Sequence, residues 1–293
     1  MKKLKNALFV LFVGLAASCS SDSDTPVNNP ITGDDYFNYT IDGVEQDITQ
    51  ITAVRSGNMF EVVGTAASGR VVDVQFNKWG DVGDVQTLAN DFNIPWRTTY
   101  HYFKSNYFTF ELVSIDEATK KVKVNFSGKV YDDEYILSDG FSVIEGSFQV
   151  TYTDVAPIIS GLGVSATVAG QEWHDSDGDI TGGWAGEDMT LNASNDTKYT
   201  IGIVTNHDDT VVGNYSIGPN ETSNKMKLFV YNTETDEEDE YITVSGNMNV
   251  TTKTEGLQYT VIEGTFNFIA KNPDTNQTVT ITGGSFKQAY ETP

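Results

Sequence analysis

From Tyr36 onward, apolar and polar residues alternate with a period of two, and Gly, Asn, Asp or Pro breaks the alternation every eight to twelve positions or so. Side chains that switch faces in this way belong to half-buried antiparallel strands. The clearest runs are 71–76, 107–113, 121–126, 143–152, 199–205, 225–231, 259–270 and 278–282. No long amphipathic helix competes, and 83–92 is the one stretch that reads as a short helix or irregular loop.

The alternation also repeats at long range. Phe141-Ser-Val-Ile-Glu-Gly-Ser-Phe-Gln-Val150 aligns without gaps on Tyr259-Thr-Val-Ile-Glu-Gly-Thr-Phe-Asn-Phe268, an offset of 118, and at that offset 124–128 falls on 242–246. Tyr39-Thr-Ile-Asp-Gly43 and Ala166-Thr-Val-Ala-Gly170 match at a slightly larger offset. Two related β domains in tandem account for this, joined near 154–161, where Pro157 and Gly161 interrupt the pattern. Within the repeat, Ile144, Phe148, Val150, Ile262 and Phe266 should face inward, and Val143, Glu145, Gln149 and Glu263 outward. The expected fold is all-β: two tandem antiparallel β-sandwiches with Ig-like, Greek-key connections, at 35–155 and 160–291. A small open barrel is the alternative.

Before the strands comes an address. Lys2, Lys3 and Lys5, an apolar run over 7–15 and the small residues Ala16, Ala17 and Ser18 lead to Cys19. The apolar run is shorter than the roughly 20 residues a membrane-spanning helix needs, so 1–18 reads as a cleavable signal peptide. With Leu15 and Ala16 at the fourth and third places before the cysteine, the pattern resembles the lipobox of bacterial lipoproteins, which implies lipidation of Cys19. Residues 19–34 then form a polar tether. Its small acidic run resembles the surface-export signal of Bacteroidetes-type lipoproteins, which implies an outer-membrane anchor with the body on the cell surface. Cys19 is the single cysteine, so no intramolecular disulfide can form.

Charge narrows the partners. With 18 Lys+Arg against 41 Asp+Glu, the net charge is −23. Such a field repels nucleic acid and favours cations or neutral partners, while also keeping an exported protein dispersed.

The second half is further identified by resemblance. Ser165-Ala-Thr-Val-Ala-Gly-Gln-Glu-Trp173, Gly213-Asn-Tyr-Ser-Ile-Gly218 and Thr278-Val-Thr-Ile-Thr-Gly-Gly-Ser-Phe286 resemble an uncharacterised β-sandwich domain family of Bacteroidetes-type lipoproteins, over most of 160–290. In the first half Gly43 is followed by no tryptophan, and the Thr-Ile-Thr-Gly-Gly-Ser-Phe strand has no evident counterpart. The resemblance implies a fold and an address, and it carries no catalytic residue.

Candidate chemistry is sparse. A nucleophilic enzyme needs a base beside its nucleophile, yet the chain has only His101, His174 and His207, no G-x-S-x-G elbow and one thiol already assigned to the anchor. Glycoside hydrolysis needs two carboxylates roughly 5–10 Å apart. Glu145 and Glu263 recur in the repeat but sit on outward strand faces of different domains. Asp175-Ser-Asp-Gly-Asp179 opens like a calcium loop, with Asp175, Asp177 and Asp179 as candidate ligands. Its glycine stands fourth, however, and Gly186, not an acid, stands twelfth. Finally, Trp96-Arg-Thr-Thr-Tyr-His-Tyr-Phe103 is densely aromatic. As a strand it would expose one aromatic face, making Trp96, Tyr100 and Tyr102 a candidate carbohydrate surface.

These readings converge on a non-catalytic binding accessory, membrane-anchored through lipid, for an extracellular glycan. No cofactor is required, although calcium is a candidate. The alternative is a structural or assembly subunit that pairs with an envelope protein, and a two-carboxylate glycoside hydrolase ranks last.

Overall fold

The computed structural model describes residues 30–89, 95–138, 140–176, 188–206, 208–220 and 224–291. The expected signal, Cys19 and most of the expected tether lie outside them. Among the described residues no helix is long and apolar enough to cross a membrane.

The chain is all-β and forms two sheets. The first contains β1 (Tyr36–Ile41), β2 (Val44–Gln46), β3 (Ile48–Ser56), β4 (Met59–Ala66), β5 (Arg70–Asn77), β6 (Val82–Ala89), β7 (Arg97–Thr98), β8 (Phe108–Asp116), β9 (Lys121–Tyr131), β10 (Phe141–Thr151) and β11 (Thr153–Val155). The second contains β12 (Gly163–Val168), β13 (Gln171–His174), β14 (Asp188–Ser194), β15 (Tyr199–Asn206), β16 (Gly213–Ile217), β17 (Lys225–Asn232), β18 (Glu237–Glu255), β19 (Tyr259–Lys271) and β20 (Thr278–Glu291). Their orders are β11-β3-β4-β5-β6-β7-β9-β10-β1-β2, with β8 on β9, and β13-β12-β20-β19-β18-β17-β15-β14, with β16 on β18.

The all-β, two-domain class is therefore as expected, but the connections are plainer than Greek keys. Strands adjacent along the chain lie mostly adjacent in the sheet, and the main long-range closure docks an N-terminal hairpin on the last long strand. Each sheet curls over its own core. In the first, Phe60 stacks on Phe76 with centroids 5.0 Å apart, and Phe37 on Phe148 at 5.1 Å. In the second, Trp173, Met248, Phe266, Phe268 and Phe286 are buried together.

Period-two patterning located these cores well. Ile144, Phe148, Val150, Ile262 and Phe266 are all buried, while Val143 and Glu145 are exposed. Gln149 departs from expectation and is buried, because residues 30–35 fold across it and its amide donates to the Thr32 and Asp34 carbonyls at 3.2 and 3.1 Å. Residues 83–92 also depart: as far as Ala89 they continue strand β6, whose Val85 and Thr87 face the core.

The repeated Gly-Ser/Thr-Phe element has a packing cause. Gly146 lies opposite Phe126, Gly264 opposite Phe286 and Gly284 opposite Phe266. At each glycine a β-carbon would collide with the facing ring, so the aromatic covers the bare backbone of its neighbour. The device serves both units. Hairpin β1–β2 docks on β10, pairing Phe37 with Phe148 and Asn38 with Ser147; hairpin β12–β13 docks on β20, pairing Val164 with Phe286 and Ser165 with Ser285. By its place beside the hairpin, the terminal Gly284-Ser285-Phe286 strand thus has a counterpart after all, in Gly146-Ser147-Phe148. The offset of 118 compares β10 with β19, a strand one place further from the hairpin.

Candidate functional site: the outer face of β3 to β6

On β4, β5 and β6 the residues between the buried ones point away from the core, and most are polar. Register places Val54, Glu61, Gln75 and Asp84 in one row across β3 to β6. The next row is Thr52, Val63, Asp73, Gln86 and Thr98. Adjacent strands lie about 4.8 Å apart, so flat carboxylate and amide groups stand side by side at that interval.

These groups hold one another. Asp84 Oδ1 accepts the hydroxyls of Thr98 and Thr99 at 2.5 and 2.7 Å, and its Oδ2 accepts the Gln86 amide. The Gln75 amide donates to Asp73 Oδ2 at 3.3 Å. Asp73 Oδ1 is buried without a hydrogen-bond partner. Burial, then the Gln75 bond acting the other way, then the charges of Glu61 and Asp84, leave the Asp73 carboxyl at about 6.

Above the row lies a cleft of about 430 Å³. One wall is the 99–104 segment with Glu134 and Tyr135, and the other receives Ser176 and Ser194 from the second sheet. Tyr135 is 52% exposed and packs on His101 with ring centroids 4.8 Å apart. Burial, seconded by the Lys104 charge, pushes His101 down to about 4, so its ring is neutral at pH 7. Trp96, 43% exposed, stands beside the second row and donates its indole N–H to Gln86 Oε1 at 3.2 Å.

Of the expected aromatic residues, only Trp96 belongs to this face. Residues 99–107 form a loop with a single 3₁₀ turn, Lys104–Asn106, and not a strand. Phe103 there has a left-handed φ of 44°, which breaks the alternation that would have exposed one aromatic side. Tyr100 is buried at 1% exposure against Tyr131 and Tyr231, the last from β17 of the second sheet. Tyr102 stacks on Tyr231 at 5.6 Å. These two tyrosines join the sheets: Tyr100 is buried, and Tyr102 is partly buried with one face against Tyr231.

The remaining expectations divide similarly. Asp175 is buried at the seam, its N–H donating to the Val164 carbonyl at 2.8 Å and its own carbonyl accepting the Asn77 amide at 3.2 Å. Asp177, Asp179 and His207 lie outside the described residues, as does Cys19. Among the described residues no three His, Cys, Asp or Glu side chains are grouped to hold a metal ion.

Sequence reasoning missed Glu61, Gln75, Asp84, Gln86, His101 and Tyr135 as a group. The signal was present in the alternation: 61, 73, 75, 84 and 86 are the polar members of three consecutive strands. Only their mutual register, set by tight turns, could show that they form rows.

A search of the curated proteins finds no match to the chain. A protein-family model does match the second sheet and stops short of most of the cleft: residues 164–289 are similar to a domain of unknown function, DUF6252.

Proposed function

We propose that this chain is a non-catalytic glycan-binding protein that uses the outer face of β3 to β6, and that lipid on Cys19 holds it at the outer membrane with its body on the cell surface. The observation that carries the reading is the row Glu61, Gln75 and Asp84, with the exposed ring of Tyr135 over it and that of Trp96 beside Gln86 in the next row. Flat acceptors at strand spacing suit the hydroxyl edge of a sugar, and exposed rings suit its C–H face. Asp84 is occupied by two threonine hydroxyls and an amide, which suits positioning better than proton transfer.

A broad glycan array probed with the lipidated chain in detergent, with calcium and again with chelator, tests this reading. Retention that falls about ten-fold or more in both Trp96→Ala and Glu61→Gln supports it. No retention anywhere on the array overturns it. Chelator sensitivity would add a calcium ion at Asp175, Asp177 and Asp179. Fatty-acid labelling lost in Cys19→Ala tests the anchor separately.

A second reading, an assembly subunit for an envelope complex, draws on Ile242, Val244 and Ile269. These are 48%, 45% and 38% exposed, on the outer side of β18 and β19.

A further inference from the structure

We propose that the cleft over β3 to β6 selects a sugar carrying a protonated amine, an inference that rests on the glycan reading above. The charges that face the cleft come from every element around it. Strand β4 supplies Glu61, β6 supplies Asp84 and the segment after β9 supplies Glu134. Strand β5 adds the Gln75 amide, while among the described residues β3 and the second sheet contribute Val54 and the hydroxyls of Ser56, Ser176 and Ser194.

Against these three carboxylates stands one cation among the described residues of the lining. Lys104 is buried, and its ammonium donates to the His101 carbonyl at 3.1 Å. His101 adds no positive charge at neutral pH. The cleft lining thus sets three carboxylates against one ammonium, and the Asp73 carboxyl one row away is raised first by burial and further by the charges of Glu61 and Asp84. Such a site repels uronic, sulfated and phosphorylated ligands and draws an ammonium group in.

The exposed Tyr135 ring provides a second, independent attraction of the same sign. A cation within about 6 Å of an aromatic face is stabilised by the ring quadrupole. Paired carboxylate and aromatic surfaces recognise amines in this way. The volume, about 430 Å³, is within the roughly 300–1,000 Å³ of small-ligand clefts. A neutral sugar would satisfy the acceptors with hydroxyls but leave the charge standing.

The test is titration calorimetry of the full chain at about pH 5.5 to 6 with four tetrasaccharides of matched length: glucosamine, N-acetylglucosamine, glucose and a uronic acid. A lysine tetrapeptide serves as the non-sugar control. The expected result is glucosamine binding about ten-fold tighter than the neutral sugars, no uronic-acid binding, and a ratio of glucosamine to glucose affinity that collapses to about one in Glu134→Gln. Equal affinity for the amine and neutral tetramers would overturn this inference and leave the glycan reading intact. No sugar binding, or binding of the lysine peptide alone, would overturn both.

Discussion

Trp79 lies flat on His174, with ring centroids 3.8 Å apart and planes within 5° of each other. One ring belongs to the loop after β5 and the other to the end of β13, so this stack crosses from the first sheet to the second. Both imidazole nitrogens are buried without hydrogen-bond partners, and burial lowers the pKa of His174. The stacked form is therefore the neutral ring. A histidine whose folded pKa is depressed stabilises the fold above its ordinary value of 6.5, and that contribution is lost as pH falls below it. Trp79→Ala should cost about 1–3 kcal/mol in a denaturant titration at pH 7 and should flatten the acid limb of stability below pH 6.5. An unchanged acid limb would show that His174 does not report on this stack.

The tyrosine cluster makes a sharper claim about the same seam. The Tyr231 hydroxyl meets that of Tyr100 at 3.2 Å and donates to Asp236 Oδ1 at 3.0 Å, and its ring contacts Tyr100 and Tyr102. Tyr231→Ala should destabilise by about 3–5 kcal/mol, as truncation of a buried aromatic does. Tyr231→Phe should cost about 1 kcal/mol, the net worth of its hydrogen bonding. Calorimetric melting of both variants would separate ring packing from hydroxyl contacts, and equal losses would refute the division.

Asp196 opposes the histidine in its pH dependence. Burial first, then the neighbouring charge of Asp81, push it up to about 7, with Lys104 pulling the other way. A carboxyl whose folded pKa is raised disfavours its own ionisation in the fold. Stability is thus retained below about pH 4, declines as pH rises towards 7 and is level above that. Asp196→Asn should remove this decline and leave the variant about 1–3 kcal/mol more stable than the parent at pH 8, with little difference at pH 4. Urea titrations at the two pH values measure it, and a variant less stable at pH 8 would contradict the assignment.

Gly284 and Gly146 test the packing account of the repeat. Alanine at either position would drive its methyl into the facing ring of Phe266 or Phe126. Each substitution should cost about 1–3 kcal/mol, as overpacking does. Pairing Gly284→Ala with Phe266→Leu should recover part of that loss. No recovery in the double variant would mean the strain lies in the backbone.

The sequence disclosed the strands and their inward faces because a period of two needs only local information. Ile144, Phe148 and Ile262 were legible on that basis. Sites built across strands were not. Glu61, Gln75 and Asp84 are separated in the chain by turns and become neighbours only through register, while Tyr100 and Tyr231 are 131 residues apart and meet only because two sheets dock. Aromatic density at 96–103 gave a true signal of interaction, but its partner is the second sheet of the same chain. Gln149 erred for a related reason, since its cover comes from residues more than a hundred positions away.

The way the chain enters its first strand also decides how it carries load. Ile31 is clamped through its N–H to Asp116 Oδ2 at 3.0 Å, Lys121 holds the Gly33 carbonyl at 2.6 Å, and Gln149 holds Thr32 and Asp34. Strand β1 then runs antiparallel to β10 through six consecutive pairs, from Tyr36 with Gln149 to Ile41 with Ile144. A pull applied through the residues before Pro30 is therefore resisted first by this clamp. It then acts along β1 as shear, loading all the ladder bonds together, so the strand cannot be unzipped one bond at a time. Load entering at Pro30 is thus shared by the clamp and by six strand pairs at once.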